Sequence, residues 1–475
     1  MQIFHQLEME RFQRKKKNEV IKVGVVGFSG YSPIYYMNYN PETGSGAKAN
    51  KNSRAYKEYG LLIELKEMND PNVSIEAWKS DKLDVHWWTI DSFAYIANSL
   101  KDYEPRVFMN VDKSRGVDAC VAVPGIKRIN DLRGKRIAYQ PMSPSETFLA
   151  WMLKSANMTM SDITPHKTAD FIEAATLFNS GAVDACITWF PYEQNCLKSV
   201  NGSTILCSSK QAPNLIADIM FAKKGYLELN QSKMQKFYEC WMTGSAELNS
   251  SKENMNKAAE IMVKSIETSL PIETWNEGLA NVRFCTAGDN RQFFGLEQNV
   301  SSLSGEKIYN TTAQTITPTP IGWSNITTFM VVKNSELSGG IHSAESNMKF
   351  TQASQADINK SEMSTKQITI NFQFGSSKLT EDAMQIIDSQ FVDLARAFSS
   401  MRIQVEGNTD SIGDINGNIR LSKMRAQAVV NYLVDRYQFD RNRFIVIGNG
   451  PNNPIADNTT EYGRAANRRT EFKLK

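Results

Sequence analysis

Between residues 21 and about 230 the chain alternates short apolar runs with segments whose apolar residues recur every three to four positions. IKVGVVGF, LLIELKEM, LDVHWWTI, DACVAVP, RIAYQ and DACITWF read as strands, and SETFLAWMLKSAN and DFIEAATLFNSG as amphipathic helices. This alternation predicts an α/β fold with largely parallel sheets. From 231 to 285 the period is nearer 3.6, in KMQKFYECWM and MNKAAEIMVKSIETSL, so this stretch reads as helical. Residues 334–366 are rich in Ser, Asn and Gln and poor in large apolar residues. Such a segment buries little surface, and it reads as a linker with at most one short helix.

A second pattern occupies residues 367–475. QITINFQF alternates as a strand, and LTEDAMQIIDSQFVDLARAFSS follows as an amphipathic helix with Thr380 as its N-cap. MRIQVEGNTD is a strand ending in a polar loop, NIRLSKMRAQAVVNYLVDRY a second helix, and RFIVIGNGP and NRRTEFKLK two more strands. The order βαβαββ fits a small α/β sandwich with helices on one face of a sheet. The chain thus divides into an N-terminal extension (1–20), a long α/β domain (21–333), the linker (334–366) and the small sandwich (367–475).

Composition adds limits. The 475 residues are 41% apolar and 22% charged, with 54 basic and 51 acidic side chains and a net charge of +3. A wholly disordered chain is excluded, and so balanced a charge gives no case for nucleic-acid binding. No run of 18 apolar residues is present, so no transmembrane helix is expected. Arg14 to Lys17 form the one conspicuous basic cluster of the extension, read as a solvated helix end. Only a short strand-like run follows it, so no export signal is visible. The protein then stays where it is made, has lost a leader, or leaves by another route.

The six cysteines (120, 186, 196, 207, 240 and 285) form no CxxC pair, and none of the four histidines lies near a cysteine at zinc spacing. No metal or cofactor is expected. Cys120 and Cys186 lie in apolar strands and read as buried thiols. Spacing leaves open whether any of Cys196, Cys207, Cys240 and Cys285 pair. The glycines after the first strand, in GVVGFSG, lack dinucleotide-binding spacing, and the GKR at 134–136 lacks a P-loop's upstream glycine. HExxH and GxSxG are absent, so the chain does not read as an enzyme.

In the C-terminal sandwich Asp410 ends a strand loop and Arg425 lies near the start of the next helix. One carboxylate and one guanidinium at fixed separation suit a zwitterionic ligand, and suit equally a plain loop–helix salt bridge. Three separated motifs bear on that choice: VEGNTDSIG at 405–413, NIRLSKMRAQAVVNYL at 418–433 and GRAANRRTEF at 463–472. With them residues 367–475 resemble the OmpA-like peptidoglycan-binding domain. The resemblance implies binding to the diaminopimelate residue of the stem peptide, with Asp410 and Arg425 as the main pair and Asn418 and Arg468 in support. Of Arg468 and Arg469, one is expected at the ligand and the other as a brace. The loop containing Phe374, Gly375, Ser376 and Ser377 departs from the family, which often carries an acidic residue there.

Residues 21 to about 285 resemble periplasmic substrate-binding proteins of the nitrate, sulfonate and taurine group. The stretches that carry this are YKEYGLLIELKEMNDPNVSIEAWKSDKLDVHWWTIDSFA, INDLRGKRIAYQPMSPSETFLAWMLKSAN and LFNSGAVDACITWFPYE, while MNYNPETGSGAKANKNSR is an insertion. The resemblance implies two α/β lobes with a solute in the cleft, met by loops at the carboxyl ends of strands. Those loops supply Ser29 and Tyr31, Trp88 and Asp91, Ser143, Ser145 and Thr147, and Trp189. Ser143 and Glu146 have capping-box spacing with Pro144 at the first helical position. A helix start rich in hydroxyls suits a small oxyanion, and equally a plain cap. Trp88 and Trp189 would flank an organic part of the solute or pack in the core.

Two functional readings follow. In the first, a non-enzymatic protein of the periplasm or cell envelope binds a small anionic solute and is tethered to peptidoglycan, with envelope proteins as further partners. In the second, a phage virion component touches peptidoglycan through its last domain, and its N-terminal lobes are an inherited scaffold.

Overall fold

The computed structural model describes residues 19–475 except 268, 269, 371 and 374. The Arg14 to Lys17 cluster, His5 and Phe374 therefore lie outside the described residues. Among the described residues fifteen strands run in chain order: β1 (Val20–Val25), β2 (Leu62–Glu67), β3 (Val85–Thr89), β4 (Pro105–Ser114), β5 (Asp118–Ala122), β6 (Arg136–Tyr139), β7 (Thr164–Lys167), β8 (Ala185–Trp189), β9 (Thr204–Ser208), β10 (Ala217–Lys223), β11 (Val282–Phe284), β12 (Ser364–Ile368), β13 (Ile403–Asn408), β14 (Phe444–Gly450) and β15 (Thr470–Leu474).

They assemble into two units. The first holds the described residues up to Lys113 with Ala217–Gln298 and Ser304–Glu345; the second holds Ser114–Ile216, Asn299–Leu303 and Ser346–Lys475. The first unit has one sheet of order β11-β4-β10-β3-β1-β2. β1 pairs in parallel with β2 and β3, but β10 is antiparallel to both β3 and β4. The sheet is thus mixed where the pattern predicted mostly parallel pairing. The chain leaves this unit along β4 and re-enters along β10, so the returning strand runs opposite to its neighbours. Helices cover the sheet, among them Gln231–Ser250, which buries Phe237, Tyr238, Trp241 and Met242 as its period foretold.

The second unit holds two sheets. One is β7-β6-β8-β5-β9, with parallel β7-β6-β8 and with β5 antiparallel to both β8 and β9. The other is the C-terminal β12-β15-β13-β14. There β13 and β14 are parallel while β15 runs antiparallel to β13 and β12. The long helix Ile415–Tyr437 lies on this sheet, capped by Asp414, whose carboxylate accepts from the Gly417 N–H at 2.6 Å. It approaches closely because Gly407 has no side chain: a Cβ there would stand 2.1 Å from the Ser422 carbonyl oxygen. Thr380 caps the preceding helix, accepting from the Ala383 N–H. On the sheet, Phe391 stacks on Phe472 at 3.9 Å.

The first strand of this sheet starts at Ser364, inside the Ser/Asn/Gln-rich segment, and ends at Ile368, short of the alternating run that suggested it. Upstream, residues 355–359 form one short helix. Phe350 N–H donates to Asp440 at 3.0 Å, and the Phe350 ring faces the Arg402 and Arg443 guanidiniums.

Within the second unit, β12 is also held by the segment around Ile129. Ile129 N–H donates to Met363 O at 2.8 Å, and Asn130 bonds Thr365 in both directions. Arg128 pairs with Glu362 at 3.0 Å, and Asn157 donates to Gln367 O at 2.7 Å. The Lys366 ammonium is nearly buried, donating to Asn157 Oδ1 at 2.7 Å and Lys154 O at 3.1 Å. Ser400 adds a bond to Lys210 O. The C-terminal sandwich is therefore seated on the 114–216 part of its unit through a polar, strand-edge contact.

All six cysteines are buried free thiols. Cys186 and Cys196 have sulfurs 3.9 Å apart in a core with Val121, Ala138, Ala174 and Phe178. Among the described residues no helix is long and apolar enough to cross a membrane, and no group of side chains forms a metal site.

Candidate functional site

At the C-terminal sheet, antiparallel pairing of β13 with β15 sets Gly407 against Thr470, and Asn408 N–H donates to Arg469 O. The second residue past the end of β13 and the second residue before β15 are thereby brought close. These are Asp410 and Arg468: Arg468 Nη1 donates to Asp410 Oδ2 at 2.6 Å, and its Nη2 donates to Glu461 at 2.7 Å. Asp410 Oδ1 accepts from the Ile412 N–H, and Asn418 Nδ2 donates to Ile412 O at 2.9 Å, so both fix the same loop.

Arg425 makes no ion pair with Asp410. Its Nε donates to Ser376 O at 3.0 Å, its Nη2 reaches Gln373 O at 3.4 Å, and its guanidinium lies over the Phe372 ring at 5.0 Å. Burial lowers its pKa; the Asp410 charge works against this and the nearby Arg468 charge adds to it. The loop–helix salt bridge weighed from sequence is thus absent, because Arg468 takes that position on Asp410. The Arg468 pKa is raised, first by its bond to Glu461 and then by Asp410. Arg469 is buried against Glu471 at 2.6 Å and donates to Asn453 O, the geometry of a brace. The cluster pairs one carboxylate with the Arg468 guanidinium and holds a second guanidinium, Arg425, near enough to feel both charges but partly desolvated and with no carboxylate within ion-pair distance among the described residues. Desolvation strengthens its attraction for an incoming anion.

In the second unit the helix Pro144–Ser155 starts at Ser143, whose hydroxyl accepts from the Ser145 N–H at 3.2 Å and donates to Gln140 O at 2.8 Å. Glu146 reaches back to the Met142 N–H at 2.7 Å, one residue before the cap. The Ser143 hydroxyl is committed to the turn. Ser145 Oγ accepts from Trp189 Nε1 at 3.1 Å, and Trp189 stacks on Phe171 with ring centroids 4.2 Å apart. Thr147 Oγ1 is buried without a hydrogen-bond partner among the described residues. The structure thus brings Ser145 and Trp189 together and leaves the Thr147 hydroxyl over.

In the first unit Tyr31 is fully buried and donates to Asp218 Oδ2 at 2.7 Å, with Trp87 and Trp241 edge-on to its ring. Its pKa is raised by burial and then by Asp218 and Asp112. Ser29 is buried, and its carbonyl accepts from Ser32 Oγ. Trp88 stacks on Trp87 at 5.8 Å. Asp91 is buried in the first turn of Ile90–Ile96, with Ser92 Oγ 3.4 Å from its Oδ2. Sequence reasoning missed Asp112 and Asp218. Each sits in a strand that the apolar pattern did not mark, and an acid within an otherwise apolar run was the available signal.

A polar hollow of about 350 Å³ lies at the β12 contact, lined by Arg128, Arg133, Asn157 and Lys473 among others. Its cations already face Glu362, Asp162 and Glu406 respectively.

Comparison with known proteins places these features. The OmpA family model matches residues 371–468, and the NMT1/THI5 like model matches residues 55–251. Outer membrane porin F of Pseudomonas aeruginosa is 38% identical over 108 residues, 23% of this chain and 31% of that protein. Outer membrane protein A of Bordetella avium is 44% identical over 103 residues, 22% of this chain and 52% of that protein. Peptidoglycan-binding protein ArfA of Mycobacterium bovis is 40% identical over 84 residues, 18% of this chain and 26% of that protein. The chain thus spans between about a quarter and a half of the length of these relatives. Among solved structures, the periplasmic aliphatic sulphonate binding protein SsuA from Escherichia coli superposes with a TM-score of 0.51 at 17% identity, covering 71% of this chain and 98% of that one. A ligand binding component of an ABC-type import system from Staphylococcus aureus gives 0.51 at 12%, covering 67% and 99%. At such identities the likeness is one of fold. The chain therefore joins an NMT1/THI5-like segment, in a fold shared with periplasmic binding proteins, to a C-terminal OmpA-family domain.

Proposed function

We propose that this is a non-enzymatic cell-envelope protein that holds peptidoglycan through its C-terminal domain and binds a small anionic solute through its NMT1/THI5-like part. The observation that carries the first half is the Asp410–Arg468–Arg425 cluster: a half-buried guanidinium with no carboxylate of its own, beside a carboxylate anchored by a second arginine. A diaminopimelate end group presents one carboxylate and one ammonium. Arg425 receives the carboxylate, Asp410 receives the ammonium, and Asn418 and Arg468 hold the loop and the acid in place. A relative named for peptidoglycan binding, and relatives named as outer-membrane proteins, favour this envelope reading over the virion one.

The test is co-sedimentation with purified sacculi, together with binding of free meso-diaminopimelate. Wild type should bind both, and Arg425→Ala and Asp410→Ala should each lose both. Full binding retained by both variants would remove the proposal.

For the solute, the Pro144–Ser155 helix start supplies the positive end of its dipole, the Ser145 hydroxyl and the Thr147 hydroxyl, unpartnered among the described residues, which suits an oxyanion. Trp189 borders that place. In the first unit, Tyr31 is proposed as the brace of Asp218. Calorimetry against sulfate, phosphate, sulfonates and amino-acid-like anions should find one binder, weakened in Thr147→Val. Silence across the panel would refute this half alone.

A further inference from the structure

The loops and helix starts around the Asp410 cluster also carry large apolar side chains turned to water. Tyr462 is 88% exposed, Ile412 62%, Ile415 58% and Ile455 50%. They are not on loose backbone. Ile412 N–H bonds Asp410, and Ile412 O accepts from Asn418. Ile455 N–H bonds Asn467 Oδ1 at 2.7 Å, while Asn458 Oδ1 accepts from both Asn467 Nδ2 and the Ser411 N–H. Tyr462 follows Glu461, which grips Arg468 at 2.7 Å. One hydrogen-bonded network therefore fixes both the charged cluster and its apolar surround. Isolated exposed apolar residues are ordinary, but several gathered on ordered loops and helix starts beside a charged site mark a contact surface.

We infer that Tyr462, Ile412, Ile415 and Ile455 form a collar that binds the peptidoglycan polymer around the diamino acid, meeting the methyl groups of the stem peptide and the C–H faces of the sugars. The inference rests on the proposed peptidoglycan binding and goes beyond it by separating two contacts. The charged cluster reads the ends of one residue; the collar reads what that residue is attached to. A free amino acid fills only the first. An aromatic ring with a polar tip suits a surface that is apolar on one side and wet on the other.

The experiment compares free meso-diaminopimelate, a soluble disaccharide–peptide monomer and sacculi, using the full chain and the Tyr462→Ala and Ile412→Ser variants. Both positions are exposed, so folding should be unchanged, which circular dichroism checks. The expected result is unaltered affinity for the free amino acid and five- to tenfold weaker binding of the monomer and of sacculi, on the order found when an exposed interface aromatic is truncated. Equal affinity of both variants and wild type for monomer and sacculi, with amino-acid binding intact, would overturn the collar. Failure of wild type to bind the free amino acid would instead overturn the underlying reading of the cluster.

Discussion

Lys366 puts a number on the contact that seats the C-terminal sandwich. Its ammonium is enclosed between β12 and the end of the Pro144–Ser155 helix, held by the Lys154 carbonyl and the Asn157 side chain with no carboxylate on either bond. Burial, with a smaller push from the Lys154 charge, brings its pKa down from 10.5 to about 8. Below pH 8 the amine is charged whether the chain is folded or unfolded, and the folded state carries the whole cost of enclosing it. Between pH 8 and 10.5 the unfolded chain binds more protons than the folded one, so stability rises with pH through that window and levels off above it. At roughly 1.4 kcal/mol per pH unit the ceiling is ~3 kcal/mol, and solvent screening of an amine that is not fully enclosed brings the expectation to about 1–2 kcal/mol over the whole window. Lys366→Met removes the titrating group and keeps most of the stem's bulk. Urea unfolding of both proteins at pH 7.5 and pH 9.5 is the assay. Wild type should gain about 0.5–1 kcal/mol more than the variant across that interval, which covers a little over half of the window, since every other titrating group is common to both. Parallel changes would refute the reasoning, because Lys366 would then be solvated as an ordinary surface amine.

Other expectations follow from single contacts. Gly407→Ala drives a methyl into the Ser422 carbonyl, and it should destabilise the C-terminal domain by about 2–3 kcal/mol in denaturant titration. All six thiols are buried, so mass spectrometry after alkylation of the native protein should show almost no modification, and six additions once guanidinium is present.

The C-terminal domain was readable because its signals are contiguous: a strand and its polar loop, a helix start, a closing basic run. The partner of Asp410 was not. Arg468 lies 58 residues away and meets it only through the β13–β15 register, which no spacing reveals. In the N-terminal part, β4 and β10 escaped notice for a related reason. β10 is buried almost throughout, so it lacks alternation, and β4 carries Asn110 and Asp112 in mid-strand. Asn110 is there to tie strands together: its amide donates to the Asp218 carbonyl at 2.6 Å and to the Asp112 carbonyl at 3.0 Å. A polar residue that satisfies neighbouring backbone reads in one dimension as an interruption. The Ser143 turn shows the converse. Its cap was legible, but which hydroxyls the cap itself would consume was not.

The place of β10 between β3 and β4 bears on how the molecule is made. A ribosome works from the N-terminus, and when it has added residue 216 it has produced β1 to β4 but not the strand that joins β3 to β4. During that interval the nascent chain holds one three-stranded fragment, β3-β1-β2, and the lone strand β4, with edges left unpaired, the condition that invites wrong pairing. The 103 residues of Ser114–Ile216 lengthen the wait. A chaperone that shields strand edges should therefore matter more for the yield of this protein than for one whose first sheet is built without interruption.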